Sequence, residues 1–272
     1  MKKAFFLFSL CALLLVACKH EPKPFTTHDL SGNKYWIAPY TDIDDETIGC
    51  EGTYAIVWPD KGTISPAAER ELILLCFGDS NSDNVDAALN HWLSHPNLIG
   101  NSCESYTPVD SLKNIMTGEM YSLEVKCKTD SNLALFSIRR DEYAYGAIHG
   151  LYDVRYLTID LSSGNVIHIS DLVTDTARFR IAIASAIHDL DVNKDVRDCL
   201  YEEERDAIIM PEYYNFYIDS ARNGIYVEYG IYEIAPYTCG IQTIFLPIFW
   251  LSKHVPLTPY AKKLFGPDSY IE

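Results

Sequence analysis

Tyr121-Ser122-Leu123-Glu124-Val125-Lys126-Cys127-Lys128 alternates without a break. Tyr121, Leu123, Val125 and Cys127 fall on one side, and Ser122, Glu124, Lys126 and Lys128 on the other. This period of two marks a strand with one face buried and one in water, as in an antiparallel sheet. Leu133 to Arg139 and Arg155 to Leu161 continue the pattern. Ser163-Gly164 separates Leu157, Ile159 and Leu161 from Ile167 and Ile169, which predicts a hairpin. Asn223-Gly224 is a stronger hairpin signal and joins Tyr214–Ile218 to Ile225–Tyr229. Ile241 to Leu246 reads as a last strand and Tyr260 to Phe265 as a short terminal helix.

Upstream, Tyr54 to Trp58 is a short apolar strand. Ser65-Pro66 places an N-cap before a proline at the first helical position. Ala68, Leu72, Leu75 and Cys76 share a helical face, and Gly78 stops the helix. A second helix starts near Asp83, carries Val85, Ala88, Leu89 and Trp92 as its stripe, and ends at Pro96. A third is striped by Phe179, Ile183, Ile187 and Leu190, with Asp175 or Thr176 as its cap. Few helices and mostly antiparallel strands predict an α+β fold: antiparallel sheets, a few packed helices, two associated subdomains over 35–120 and 121–265.

The chain has 272 residues, 48% of them hydrophobic, enough for a substantial core. Its 22 Lys and Arg face 38 Asp and Glu, a net charge of −16. A polyphosphate backbone demands clustered basic residues, so nucleic acid is excluded as a partner. The balance suits a basic partner.

Lys2 and Lys3 precede a run, Ala4 to Ala17, that is apolar apart from Ser9. The run is too short for a stable membrane-spanning helix and has the form of an export signal, 1–17. Leu15-Val16-Ala17-Cys18 resembles a bacterial lipobox, which implies lipidation of Cys18 and a membrane anchor outside the cytosol. If the cell has two membranes, Lys19 at the second mature position favours the outer one. Removal of Lys2 and Lys3 takes the charge from −16 to −18. Residues 18–34, with two prolines and a glycine, read as a flexible tether. Cys50, Cys76, Cys103, Cys127, Cys199 and Cys239 would remain as disulfide candidates, and six cysteines allow 15 pairings. None shows the spacing of a zinc site.

Tyr145-Gly146-Ala147-Ile148-His149-Gly150 resembles the Gly-Gly-Ala-His-Gly turn of the extracytoplasmic domain of RsiV-like anti-sigma factors. Leu157 to Gly164 with Ile169-Ser170-Asp171-Leu172, and Tyr232-Glu233-Ile234-Ala235-Pro236-Tyr237 with Gly240, resemble two further segments of that family. The resemblance covers about 120–250; Ala147 and Ile148 stand where the family has Gly and Ala. The family also occurs beside peptidoglycan deacetylase domains and in lipoproteins. The resemblance implies an envelope domain that binds or senses, in one case lysozyme, with no catalysis of its own. No cytoplasmic segment or membrane-spanning run is present, so an anti-sigma role is not expected.

His149 between glycines reads as a contact residue or as a pin for its loop. Glu233 reads as a ligand contact or as an acceptor for backbone N–H groups on a strand entering Pro236. Tyr232 and Tyr237 join them as candidate ligand-binding residues. They belong to a crowd that includes Tyr143, Tyr145, Tyr152, Tyr213, Tyr214, Tyr217, Tyr226 and Tyr229. Tyrosine suits sugar stacking and protein interfaces, and equally fills sheets. His91 with His95, Asp44-Asp45, and the acidic runs Asp79-Asn81-Asp83 and Asp189-Asp191-Asn193-Asp195 match metal sites in part. Each departs from its pattern: Trp92 replaces the glutamate of a zincin helix, and Asn84 and Lys194 replace the loop glycine of a calcium site. No metal or other cofactor is expected. The expected function is a lipid-anchored module binding a basic protein such as a lysozyme-like muramidase. The alternatives are a peptidoglycan- or glycan-binding module and an envelope hydrolase with scattered catalytic residues.

Overall fold

The structure is a computed structural model and describes residues 23–78, 81–94, 106–212 and 214–270. Its elements run β1 (Thr27–Thr41), β2 (Thr47–Pro59), α1 (Pro66–Phe77), α2 (Val85–Ser94), β3 (Thr107–Val109), β4 (Met116–Asp130), β5 (Leu133–Tyr143), β6 (Leu151–Asp160) and β7 (Asn165–Val166). There follow α3 (Ile169–Leu172), α4 (Thr176–Asp189), α5 (Lys194–Cys199), α6 (Glu202–Arg205), β8 (Asn215–Asp219), β9 (Gly224–Tyr229), β10 (Gln242–Pro247), α7 (Ile248–His254) and α8 (Pro259–Phe265). The fold is α+β. Among the described residues no helix is long and apolar enough to cross a membrane.

Among the described residues seven strands form one sheet in the order β3-β1-β2-β4-β5-β6-β7, and three form another in the order β10-β9-β8. Neighbouring strands in both sheets run antiparallel except β2 and β4, which run parallel because α1, α2 and β3 intervene between them. The alternation read from Tyr121 holds in the middle of β4: Tyr121, Leu123 and Val125 are buried, Ser122, Glu124 and Cys127 are half-buried, and Lys126 and Lys128 are exposed. Leu123 and Val125 meet Ile56, Phe136, Ile138, Leu157 and Ile159 under α1 and α2, which cover one end of this face.

The helix signals are realised atom by atom. Ser65 Oγ accepts the Ala68 N–H, 3.2 Å away, Pro66 opens α1, and Gly78 closes it in the left-handed conformation at φ 67°. Asp175 caps α4 by accepting the Arg178 N–H at 2.9 Å. The stripe of α4 then packs with β9, β10, α7 and α8 in a second core that includes Phe179, Ile183, Val227, Tyr229, Ile244 and Leu251.

Three expectations are corrected. Residues 27–34 belong to the long strand β1, paired with β2 from Thr27↔Pro59 onward, instead of to a tether. Their polar sequence conceals this, because the order comes from β2's hydrogen bonds and from Gly32, where a Cβ would lie 2.6 Å from the Tyr54 hydroxyl. The boundary at 120/121 falls inside β4, so the two halves share one continuous sheet. Of the cysteines, Cys199 and Cys239 form a disulfide, whereas Cys76 is a buried thiol and Cys127 a half-buried one. Burial pushes the Cys76 thiol up to about 12 and the Cys127 thiol up to about 11, so both stay protonated. Residues 1–22, including Cys18, and Asp79, His95, Cys103 and Tyr213 lie outside the described residues.

Candidate functional site

The loop from β5 to β6 turns at Gly146, φ 77°, with Ala147 N–H donating to Ala144 O. Ile148 projects fully into solvent. Gly150 is required by a close approach: a Cβ there would lie 2.9 Å from Glu142 O. Between them His149 turns inward. Its ring stacks on Tyr237, with centroids 3.7 Å apart and planes at 19°. Its Nδ1 lies 3.1 Å from Gly150 O and its Nε2 lies 3.2 Å from the Tyr232 hydroxyl. A neutral ring with Nδ1–H donating to Gly150 O and Nε2 accepting from Tyr232 satisfies both contacts. The Tyr237 hydroxyl donates to the same carbonyl at 3.0 Å. Tyr232 holds its place with φ 66°.

His149, Tyr232 and Tyr237 therefore meet, as one stacked latch between the β5–β6 loop and the segment after β9. Glu233 faces elsewhere. It sits in a turn, not the expected strand, and its carboxylate accepts the Gly230 N–H. Oε1 lies 3.9 Å from Arg155 Nη2. Burial raises its pKa above the usual carboxylate value, while the Gly230 N–H and Arg155 pull the other way. The Cys199–Cys239 disulfide and the Tyr201 N–H···O Ile234 bond fasten this segment to the end of α5.

The latch borders a cleft of about 430 Å³ on the face of the large sheet opposite α1 and α2. Register builds it from two rungs: Glu51, Met120 and Tyr143 on β2, β4 and β5, then Thr53, Ser122, Asp141 and Tyr152 on β2, β4, β5 and β6. Glu142, Gly150, Leu151, Tyr121 and Tyr237 complete the lining. Ser122 Oγ donates to Asp141 at 3.2 Å. Arg139 grips Asp141 through Nε at 2.8 Å and Nη2 at 2.6 Å, and its guanidinium lies 5.1 Å from the Tyr152 ring centre. Burial, followed by the nearby charge of Glu119, raises the Glu142 pKa. Glu119 itself is 2% exposed and accepts hydroxyls from Tyr106, at 2.6 Å, and from Tyr40 and Tyr121.

A second cleft of about 390 Å³ shares Leu151 and Tyr152 with the first. Arg140, Asp153, Arg155 and Glu233 line it as alternating charges: Arg155 Nε to Asp153 is 3.0 Å, and Arg140 Nη1 to Asp153 is 3.9 Å. Arg140 also donates to Leu75 O near the end of α1.

The acidic lining residues Glu51, Asp141 and Glu142 escape sequence reading, because only the pairing of distant strands brings them together. The tyrosines divide. Tyr143, Tyr152 and Tyr237 line the first cleft, Tyr229 is core, and Tyr217 stacks on Tyr226 at 5.0 Å. No group of three His, Cys, Asp or Glu suited to a metal occurs among the described residues. Asn193, a ligand in the calcium reading, is buried. It fastens α4 to β10 through Ala186 O, Phe245 O and the Phe245 N–H, at 3.0, 3.0 and 2.9 Å.

The sequence matches no family model and no curated protein. Two solved structures share the fold. A DUF3298 family member from Bacteroides fragilis NCTC 9343 is 18% identical, over 88% of this chain and 96% of its own, with a TM-score of 0.55. A DUF3298 family protein from Pseudomonas aeruginosa PAO1 is 14% identical, over 88% of this chain and 97% of its own, with a TM-score of 0.51.

Proposed function

We propose that this chain is an exported, lipid-anchored binding module of the cell envelope, of the RsiV-like kind, and that it grips a basic protein. The observation that carries this reading is the cleft beside Tyr237, open to solvent, with the carboxylates of Glu51 and Asp141 and the rings of Tyr143, Tyr152 and Tyr237. Tyrosine offers rigid apolar area with a polar tip, and carboxylates steer a cationic partner. The net charge of −16 acts in the same direction over longer range. The partner that the resemblance suggests is a lysozyme-like muramidase. The Cys199–Cys239 disulfide suits an oxidising compartment, and the Lys2-to-Cys18 pattern suits export and acylation, with the outer membrane favoured where there are two. His149 serves as a pin for the loop that bounds the cleft, and the module binds without transforming its ligand.

Calorimetric titration with lysozyme at low salt tests the reading. A saturable complex weakened by Tyr237→Ala supports it. No complex, or an equal one with polylysine, removes it. Labelled palmitate incorporated by the wild type and lost in Cys18→Ser supports the anchor. The flat faces of Tyr143, Tyr152 and Tyr237 favour a second reading, a glycan ligand. Retention on insoluble peptidoglycan, abolished by Tyr237→Ala while lysozyme fails to bind, would select it.

A further inference from the structure

The first cleft is unusual in what it lacks. Glu51 and Asp141 turn their carboxylates to it together with Tyr143, Tyr152, Tyr237 and Met120, and no Lys, Arg or His is among its described lining residues. Glu51 is half-buried, with no hydrogen-bond or ion-pair partner among the described residues.

The protein's own Arg139 displays the donor that such a surface takes. It bonds Asp141 through two nitrogens while its guanidinium lies over the Tyr152 ring. Asp141 and Tyr152 are paired on one rung. The next rung repeats the chemistry with a carboxylate, Glu51, and a tyrosine, Tyr143, on either side of Met120. There no described residue supplies the cation. Strands β2 and β5 are two spacings apart, so the Glu51 and Tyr143 backbones stand about 10 Å from each other. A planar cation laid against the ring can reach the carboxylate across that span.

We propose that this rung is a receptor for one arginine side chain of the protein partner, its guanidinium held by Glu51 against the Tyr143 ring. This rests on the reading of the cleft as a protein-binding surface and names the chemical group it takes. Arginine fits better than lysine. Its planar fork donates edge-on to a carboxylate while stacking face-on against a ring, and it sheds water more easily than an ammonium. The exposed Met120 and Leu151 offer apolar contact to the residues flanking the arginine.

The test is a titration of the full chain with three acetylated, amidated tripeptides, Gly-Arg-Leu, Gly-Lys-Leu and Gly-citrulline-Leu, followed by NMR. Citrulline keeps the shape of arginine and removes its charge. The arginine peptide should bind best, lysine about threefold and citrulline about tenfold more weakly. Glu51→Gln should cost about tenfold for arginine and nothing for citrulline, and Tyr143→Leu should repeat the loss through the ring. Glu233→Gln, in the other cleft, should leave all three unchanged. Equal binding of arginine and citrulline, or an arginine affinity indifferent to both Glu51→Gln and Tyr143→Leu, overturns the proposal. The two readings separate cleanly. A lysozyme complex insensitive to Glu51→Gln removes the receptor and leaves the binding module. Arginine selectivity without a lysozyme complex keeps the receptor and removes that partner.

Discussion

The two clefts that meet at Leu151 and Tyr152 are nearly equal in size and treat charge in opposite ways. In the one facing Glu233, Arg140 and Arg155 are set against Asp153 and Glu233, so the protein neutralises itself. In the one facing Tyr237, Asp141 has its arginine, whereas Glu51 has no hydrogen-bond or ion-pair partner among the described residues. The difference teaches which surface is scaffold and which is left for a partner. Matched charges hold a turn; unmatched ones at a tyrosine-lined opening wait for something cationic.

The largest effect should come from the foundation common to both clefts. The disulfide closes a span of 40 residues, which includes the Gly230–Glu233 turn and Tyr237. Replacing Cys199 and Cys239 by serine should cost about 4 kcal/mol on the chain-entropy account. Urea unfolding with and without the pair measures it, and coincident curves would show that packing alone holds the segment.

Next come variants that set one cleft against the other. Arg155→Met strips the counter-charge from Asp153 and Glu233, two half-buried carboxylates, and should lose about 2 kcal/mol, between the values for exposed and buried pairs. Glu51→Gln should stay within about 0.5 kcal/mol of wild type, because nothing in the fold depends on it. Equal losses in the two variants would erase the distinction between scaffold and surface.

The smallest effect concerns pH. Burial and Glu119 raise the Glu142 pKa above its ordinary 4.5, so the folded state holds that proton more tightly than the unfolded chain does. Stability is then greatest below the ordinary value and falls as pH climbs through the raised one. Glu142→Gln should remove part of that fall and melt higher than wild type at neutral pH. Glu228 and Glu233, raised chiefly by burial, keep a residual slope of the same sign. A variant that melts lower at neutral pH would mean that the ionised carboxylate is a stabilising partner.

Much of the fold was legible because its signals are local. The period of two at Tyr121, the cap at Ser65 and the turn at Asn223-Gly224 each state their structure within a few residues. β1 was not, since Thr27 to Lys34 is polar and becomes a strand only through its neighbour. The site divides along the same line. Glycines around His149 and the Tyr232–Tyr237 segment point to the latch, and the structure brings those residues together. Glu51, Asp141 and Glu142 lie up to 91 positions apart and share a cleft only because β2, β4 and β5 pair in one register. No local pattern encodes that register.

Hydroxyl-radical footprinting of the chain with and without saturating lysozyme tests the central claim most directly. Each cleft carries its own exposed reporter: Met120, 53% exposed, and Tyr143, 36%, in the acidic one, and Tyr232, 50%, in the balanced one. Met120 and Tyr143 should become protected while Tyr232 oxidises as before. Protection of Tyr232 with Met120 and Tyr143 unchanged would contradict the acidic cleft as the partner's seat.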